Sequence, residues 1–226
     1  MAEPEPPPGT APAAPSSFGA LKARIIERLR GSLPSVSMFD WREGRVTLNP
    51  GAPPMGGSLS QLLPAAVLVP LIERESGLTV LLTERATHLK NHAGQISFPG
   101  GRIEASDSGP LAAALREAQE EIGLDPALVT PVGYLPDHPV TLYRVTPVVA
   151  FIAPLFALTH DRSEVADTFE VPLAFVLDPA NYRRVRRRLG QIEIEAFDLP
   201  FGGRNIWGGT ARMLVTFRDM LLEEKP

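Results

Sequence analysis

Three glutamates stand within five positions of the stretch REAQEE, residues 116–121. On one helix face Glu117, Glu120 and Glu121 would repel one another, at a cost of roughly 0.2–0.5 kcal/mol for each pair. A hard divalent cation removes this repulsion, because Mg²⁺ prefers carboxylate oxygens and keeps coordination positions open for phosphate groups. The spacing therefore indicates a metal site suited to phosphate chemistry.

The alternative is a solvated acidic helix face, which is the commonest role of such a cluster. That alternative does not explain the sequence FPGGR at 98–102, just upstream. Gly100 and Gly101 allow a tight turn in which a main-chain carbonyl can approach an ion or a substrate closely. Arg116 can orient a neighbouring carboxylate through a fork-like pair of hydrogen bonds. Turn, arginine and patterned acids together favour a functional site.

The acids are predicted to lie on a helix over Leu111–Ile122. At about 100° per residue, one narrow face carries the apolar side chains, and the three glutamates fall on an arc away from it. The apolar residues are Leu111, Leu115, Ala118 and Ile122. Pro110 suits the first turn and Gly123 the exit. Asp107 or Ser108 can cap the exposed amide groups at the start.

The remaining segments predict a mixture of strands and helices. Predicted strands are Ala65–Ile72, Leu78–Thr83, Val132–Leu135, Val145–Ile152, Arg183–Arg188 and Gln191–Phe197, with hairpins between the first two and the last two. Predicted helices are an amphipathic one carrying Phe18, Leu21, Ile25 and Leu29, a short one near Glu164–Phe169, and Gly209–Leu222. Strands and helices do not alternate regularly, so we expect an α+β domain with a mixed β-sheet sandwiched between α-helices.

The composition is that of a soluble globular chain. Its 226 residues suffice for one domain, its net charge of −4 argues against a nucleic-acid partner, and it has no cysteine. Residues 1–16 are predicted to form a disordered Pro/Ala-rich tail, and 17–226 a single domain in which Leu33–Gly57 is a wrapped linker. The tail does not resemble a secretory signal and no apolar run is long enough for a membrane span. The expected location is the cytoplasm.

The region from Gly101 to Leu124 resembles the signature box of the Nudix hydrolases. In that box a glycine, five residues, a glutamate and seven residues precede Arg-Glu-aliphatic-x-Glu-Glu-x-Gly-aliphatic. Here Gly101, five residues, Asp107 and eight residues precede REAQEEIGL. The box glutamate is replaced by Ser108, with Asp107 one place earlier, and Ala118 holds the aliphatic position. The resemblance implies the Nudix fold and hydrolysis of a nucleoside diphosphate derivative.

The flanking sequence is similar to that of the coenzyme A pyrophosphatase subfamily. The matching residues are Thr83, Arg85, Ala86, Lys90, Gly94 and Phe98–Gly101, with Lys90 where arginine is more usual. Segments downstream, including YRVTPVVAF and GGRNIWGGTARML, resemble the same subfamily. The implied reaction cleaves coenzyme A or its derivatives to 3′,5′-ADP and 4′-phosphopantetheine. Alternatives are hydrolysis of ADP-ribose, NADH or a dinucleoside polyphosphate, and a non-catalytic nucleotide-binding module.

The resemblance also implies roles for individual residues. The metal ligands for Mg²⁺ or Mn²⁺ are expected to be Glu117, Glu120 and Glu121, with a main-chain oxygen at Gly100 or Gly101. A box glutamate, Glu164 or Glu170 would accept the proton of the attacking water. Substrate phosphates are expected near Arg85, Lys90 and the two glycines, whereas the run Arg183–Arg188 favours a solvated, charged edge. The expected partner is a small nucleotide substrate, with a homodimer as one option for assembly and no nucleic acid or membrane.

Overall fold

The computed structural model describes residues 17–34, 62–89, 93–154, 157–189 and 192–223. Helices in these ranges are α1 (Ser17–Leu29), α2 (Pro110–Ile122), α3 (Leu173–Leu177) and α4 (Gly208–Leu222). Strands are β1 (Leu63–Arg74), β2 (Gly77–Arg85), β3 (Ile96–Ser97), β4 (Gly100–Arg102), β5 (Val129–Tyr134), β6 (His138–Val140), β7 (Tyr143–Ile152), β8 (Val165–Pro172), β9 (Arg183–Leu189), β10 (Ile192–Phe201) and β11 (Arg204–Trp207). The predicted tail and the predicted linker beyond residue 34 lie outside the described residues.

Strands β1 to β8 form one mixed sheet. Its path runs β3-β2-β1-β7-β5, with β4 paired to β1, β6 to β7 and β8 to β2. The central pair β1–β7 is parallel over ten residue pairs, and the other pairs are antiparallel. Strand β4 lies beside the first half of β1, where Gly100 is opposite Val67 and Gly101 is opposite Ala66. This register fixes the glycine turn against the centre of the sheet.

Helices cover both faces of this sheet. Val69 and Leu71 of β1 pack in a core shared with α1, α3 and α4, whereas Leu68 and Ile72 pack in a second core with α2. A central strand that is buried on both sides has a nearly continuous apolar sequence, and this explains AAVLVPLI in β1. The predicted fold class, α+β with a mixed sheet between helices, is confirmed.

Strands β9, β10 and β11 form a second, antiparallel sheet in the order β11-β10-β9. The arginine-rich strand β9 is at the edge of this sheet, where Arg186 is opposite Glu195 and Arg183 is opposite Asp198. Opposite charges on directly paired residues are favourable. Arg183 is thus matched by an acid across the hairpin, and the place of β9 at the sheet edge favours the charged-edge interpretation.

One predicted element is wrong. Residues 164–169 were expected to form a short helix, but the chain forms strand β8 there, and the short helix α3 follows it. Strand β8 pairs with β2 along its length, and Val165, Thr168, Phe169 and Val171 are of the residue types enriched in strands. The other predicted helices and strands are confirmed with slightly different bounds. The sequence did not predict β3, β4, β6 or β11.

Candidate active site

Helix α2, which carries the three glutamates, begins and ends much as its sequence suggests. Pro110 lies in the first turn, and Gly123 ends the helix in the left-handed conformation with φ 67°. The predicted cap from Asp107 or Ser108 is wrong, because Gly109 takes the cap position without a side-chain hydrogen bond. The carboxylate of Asp107 is therefore free for another role.

The buried face of α2 differs from the predicted one. Its buried residues are Ala113, Ala114, Ala118, Glu121 and Ile122. Leu111 and Leu115 are only partly buried, because the alanines let the helix pack closely against the sheet. The three glutamates consequently do not share one exposed arc. The side chains of Glu121, Glu117 and Glu120 are 6%, 17% and 60% exposed.

Arg116 joins the helix to the glycine turn. Its guanidinium donates to Glu117 Oε1 at 3.0 Å, to Glu120 Oε2 at 2.9 Å and to the carbonyl of Arg102 at 3.0 Å. Its Nε and Nη2 also donate to the two oxygens of Asp107, at 3.2 and 3.1 Å. These bonds lower the pKa of Asp107 and raise the pKa of Arg116. Arg116 thereby orients two of the three glutamates.

Sequence reasoning missed the pairing of Asp107 with Arg116. The carboxylate of Asp107 is almost fully buried and also accepts the Glu104 N–H at 2.8 Å. A bidentate bond of this kind fixes the orientation of the guanidinium as well as its position. The sequence did carry one signal for this pairing. Asp107 supplies a carboxylate one place before the position at which the box pattern has glutamate.

Gly100 and Gly101 have no room for a side chain. Gly100 has φ 150°, and a Cβ there would collide with the Ala66 carbonyl. A Cβ on Gly101 would lie 2.5 Å from the carboxylate carbon of Glu117. The N–H of Gly100 donates to Glu121 Oε2 at 3.1 Å. The turn therefore packs directly against two of the predicted site acids.

Glu121 is a buried acid with few compensating contacts. Burial, followed by the nearby charges of Glu117 and Glu164, raises its pKa to about 8, against the opposing effects of the Gly100 N–H and Arg85. Arg85 Nη1 lies 3.9 Å from Glu121 Oε1. The Nε of Arg85 is buried and has no hydrogen-bond partner among the described residues. Arg85 is therefore at the site, whereas Lys90 lies outside the described residues.

The two later acids have different surroundings. Glu164 is an exposed residue of the turn before β8, and its carbonyl accepts the Ala86 N–H at 2.8 Å. Its charge helps to raise the pKa of Glu117, for which burial is the main cause. Glu170 instead accepts from Arg74 at 2.6 and 3.0 Å and from the Thr79 hydroxyl at 2.6 Å. These bonds outweigh burial and lower the pKa of Glu170, so only Glu164 remains a candidate base of the two.

The donor set of α2 suits a hard divalent cation. Glu117, Glu120 and Glu121 offer carboxylate oxygens, which Mg²⁺ and Mn²⁺ prefer. The burial of Glu121 is an independent indication, because an ionised carboxylate in this place needs more positive charge than a guanidinium 3.9 Å away supplies. Within the described ranges no three acidic or histidine side chains already surround one ion position.

Residues 62–188 match the model of the NUDIX domain. Over 165 residues the chain is 41% identical to a protein of Salmonella paratyphi B (strain ATCC BAA-1250 / SPB7) described as an uncharacterized Nudix hydrolase, NudL, and the match covers 70% of this chain and 81% of the relative. The chain therefore belongs to the Nudix hydrolase family. It is a hydrolase of pyrophosphate bonds, a class whose members act with divalent metal ions.

Solved structures of the family also match. The Nudix hydrolase RenU of M. smegmatis is 24% identical with a TM-score of 0.43, and the match covers 50% of this chain and 71% of RenU. The NUDIX domain of Shewanella oneidensis NrtR, solved with ADP ribose, is 22% identical with a TM-score of 0.40, over 51% of this chain and 76% of that domain.

Among the helices in the described ranges, none has the length and apolar character needed to cross a membrane.

Proposed function

We propose that this chain hydrolyses the diphosphate of coenzyme A or its derivatives, giving 3′,5′-ADP and 4′-phosphopantetheine. The observation that carries the proposal is the position of Arg85. This residue belongs to the flanking segment that resembles coenzyme A pyrophosphatases. Its guanidinium lies 3.9 Å from Glu121, and its buried Nε has no hydrogen-bond partner within the described part of the chain. A phosphate oxygen is a suitable acceptor for that N–H, because charge-assisted bonds to phosphate are among the stronger hydrogen bonds.

We assign the metal site to Glu117, Glu120 and Glu121, with a main-chain oxygen of Gly101. A bound Mg²⁺ or Mn²⁺ would neutralise phosphate oxygens and lower the pKa of a coordinated water. Arg116 keeps Glu117 and Glu120 close to the glycine turn. Gly101 leaves the space that the Glu117 carboxylate occupies. These contacts orient the acids before substrate arrives, so less ordering is needed during the reaction.

The remaining residues would handle the substrate and the water. Arg85 would donate to an oxygen of the diphosphate. The carboxylate of Glu164, or one of the α2 glutamates, would accept the proton of the attacking water as the phosphorus–oxygen bond breaks. Glu164 is exposed and stands close enough to Glu117 and Glu121 to affect their pKa values. This proximity supports Glu164 over Glu170.

A substrate panel tests the proposed function. The purified chain is incubated with Mg²⁺ or Mn²⁺ and separately with coenzyme A, acetyl-coenzyme A, ADP-ribose, NADH and diadenosine tetraphosphate, and the products are identified by mass. We expect coenzyme A or its acyl derivative to have the highest kcat/KM, with 3′,5′-ADP as the shared product. A higher kcat/KM for ADP-ribose, NADH or the dinucleotide would contradict the assignment of substrate. A reaction that proceeds equally well in excess EDTA would contradict the metal site.

Arg85→Ala is expected to raise the KM for coenzyme A by roughly 10- to 100-fold, since a charge-assisted bond to phosphate is worth ~1.5–3 kcal/mol. The turnover number should change less. Because Arg85 faces Glu121, we expect it to contact the diphosphate. The KM for dephospho-coenzyme A should therefore rise by the same factor as the KM for coenzyme A. Steady-state kinetics on both substrates measures this.

The matched control is Arg24→Ala, which removes an exposed arginine of α1 and should leave both KM values unchanged. A loss confined to coenzyme A would assign Arg85 to the 3′-phosphate instead. Unchanged KM values for both substrates would contradict any contact between Arg85 and phosphate.

A further inference from the structure

Two acids face each other on strands β2 and β8. Glu84 and Asp167 are directly opposite in the antiparallel register, and like charges in this position destabilise strand pairing. The register shifts immediately afterwards, between Glu84 and Arg85, so that Arg85 pairs with Val165. A shift of this kind re-aims the side chains that follow it. Glu84 and Asp167 therefore repel each other immediately beside the register shift.

Arg204 of β11, in the second sheet, neutralises both acids. Its Nε donates to Glu84 Oε2 at 3.1 Å and its Nη2 to Asp167 Oδ2 at 2.6 Å. The guanidinium also stacks 4.4 Å from the ring centre of Phe169. One side chain from the small sheet thus bonds to both strands of the main sheet and to the aromatic ring beside them. Its planar fork suits this double contact better than an ammonium group would.

The strand pair held by Arg204 leads directly into the candidate active site. Arg85, next after Glu84, lies 3.9 Å from Glu121. Ala86 donates its N–H to the carbonyl of Glu164 at 2.8 Å, which fixes the turn that carries the candidate base. The hydrogen bonds of Arg204 go to Glu84 and Asp167, and not to Arg85 or Glu164. The backbone of β2 and β8 therefore connects Arg204 to both site residues.

We propose that Arg204 is a positioning residue, which holds the β2–β8 register shift so that Arg85 and the Glu164 turn keep their places at the active site. The inference rests on the roles proposed above for Arg85 and Glu164, but not on the identity of the substrate. Without Arg204, Glu84 and Asp167 would repel each other across the pair and the strands would separate towards the shift. A displacement of about 1 Å at a reacting group can cost up to about 100-fold in rate.

The test is Arg204→Gln, assayed with the best substrate of the panel well below the melting temperature. We expect kcat to fall about 10-fold or more. The matched control is Arg74→Gln, which breaks the ion pair between Arg74 at the end of β1 and Glu170 near the opposite end of β8. That control should lower the melting temperature by a similar amount and leave kcat within about twofold of wild type. A purely structural role for Arg204 predicts equal effects on kcat in the two variants.

A second experiment tests whether activity returns when one of the two repelling charges is removed. Asp167→Asn in the Arg204→Gln background removes the repulsion, so we expect kcat to recover to within about threefold of wild type. High salt should also restore part of the activity of the single variant relative to wild type, because Asp167 is half exposed. Failure of both rescues would overturn the proposal.

Hydrogen exchange separates this inference from the proposed function. The Ala86 amide should exchange faster in Arg204→Gln than in wild type or Arg74→Gln, because its bond to Glu164 is at the end of the disturbed pair. Faster exchange with an unchanged kcat would overturn the positioning role, and so would a lower kcat with unchanged exchange. If the wild-type chain hydrolyses nothing in the panel, the proposed function fails, and exchange alone decides whether Arg204 holds the turn.

Discussion

Glu121→Gln is expected to lower kcat by at least about 100-fold, equivalent to ~2.7 kcal/mol of transition-state stabilisation. The change keeps the shape of the side chain and removes the charge that we propose binds the metal. It also removes a buried carboxyl whose pKa burial raises to about 8, so the melting temperature should be unchanged or higher. Steady-state kinetics at saturating Mg²⁺ and thermal melting measure the two effects.

The matched control for this variant is Glu75→Gln. Glu75 is an exposed acid in the turn between β1 and β2, so its replacement makes the same change in net charge away from α2. We expect its kcat to equal that of wild type. A Glu121→Gln variant with wild-type turnover would remove Glu121 from the metal site. A variant that has lost its cooperative melting transition would show that the residue is needed for folding.

The metal-free chain is expected to lose stability as pH rises from about 6.5 to 8, because at lower pH the buried His138, whose pKa burial lowers to about 4, has the opposite effect to Glu121. Burial raises the pKa of Glu121 in the folded chain to about 8, above its ordinary value of 4.5. Between these values the folded chain binds a proton at Glu121 that the unfolded chain does not, so the free energy of unfolding falls as pH rises, by at most about 1.4 kcal/mol per pH unit for this one carboxyl. Urea denaturation in EDTA at several pH values measures the slope.

Two comparisons make this pH prediction specific. In Glu121→Gln the slope should be smaller, because the titrating group is gone. Adding Mg²⁺ to wild type at pH 8 should raise the midpoint of denaturation, because a ligand of the folded state stabilises it by mass action. Equal slopes in wild type and Glu121→Gln would show that Glu121 does not control the pH dependence. An unchanged midpoint with Mg²⁺ would contradict metal binding at this site.

The local features of α2 could be predicted because they depend on neighbouring residues. Pro110, Gly123 and the glycine turn follow from backbone geometry alone. The burial of Glu121 could not be predicted in the same way. It depends on how the helix rotates against the sheet, and Ala113 and Ala114 decide this rotation by their close packing. Helical periodicity gives the spacing of the acids but not the depth at which each one lies.

Contacts between distant segments were the part that sequence patterns missed. Residues 164–169 were expected to form a short helix, but most of them belong to strand β8, which pairs with β2, a segment about 80 residues away in the sequence. Arg204 is 120 residues from Glu84 in the sequence, and no periodicity connects them. The prediction that the arginines of β9 lie at a sheet edge was right, because it depended on the geometry of a hairpin, which is local in sequence. Sequence patterns thus predicted the part of the site that lies on helix α2 and on the glycine turn.

The close contact between Gly101 and Glu117 has a consequence for how this protein can evolve. The carboxylate of Glu117 fills the place where a side chain at position 101 would begin. A mutation at position 101 therefore changes the fitness effect of every mutation at position 117, and the reverse also holds. Geneticists call this dependence epistasis. A side chain at position 101 fits only after Glu117 has been replaced by a smaller residue, so the order of the two replacements is constrained.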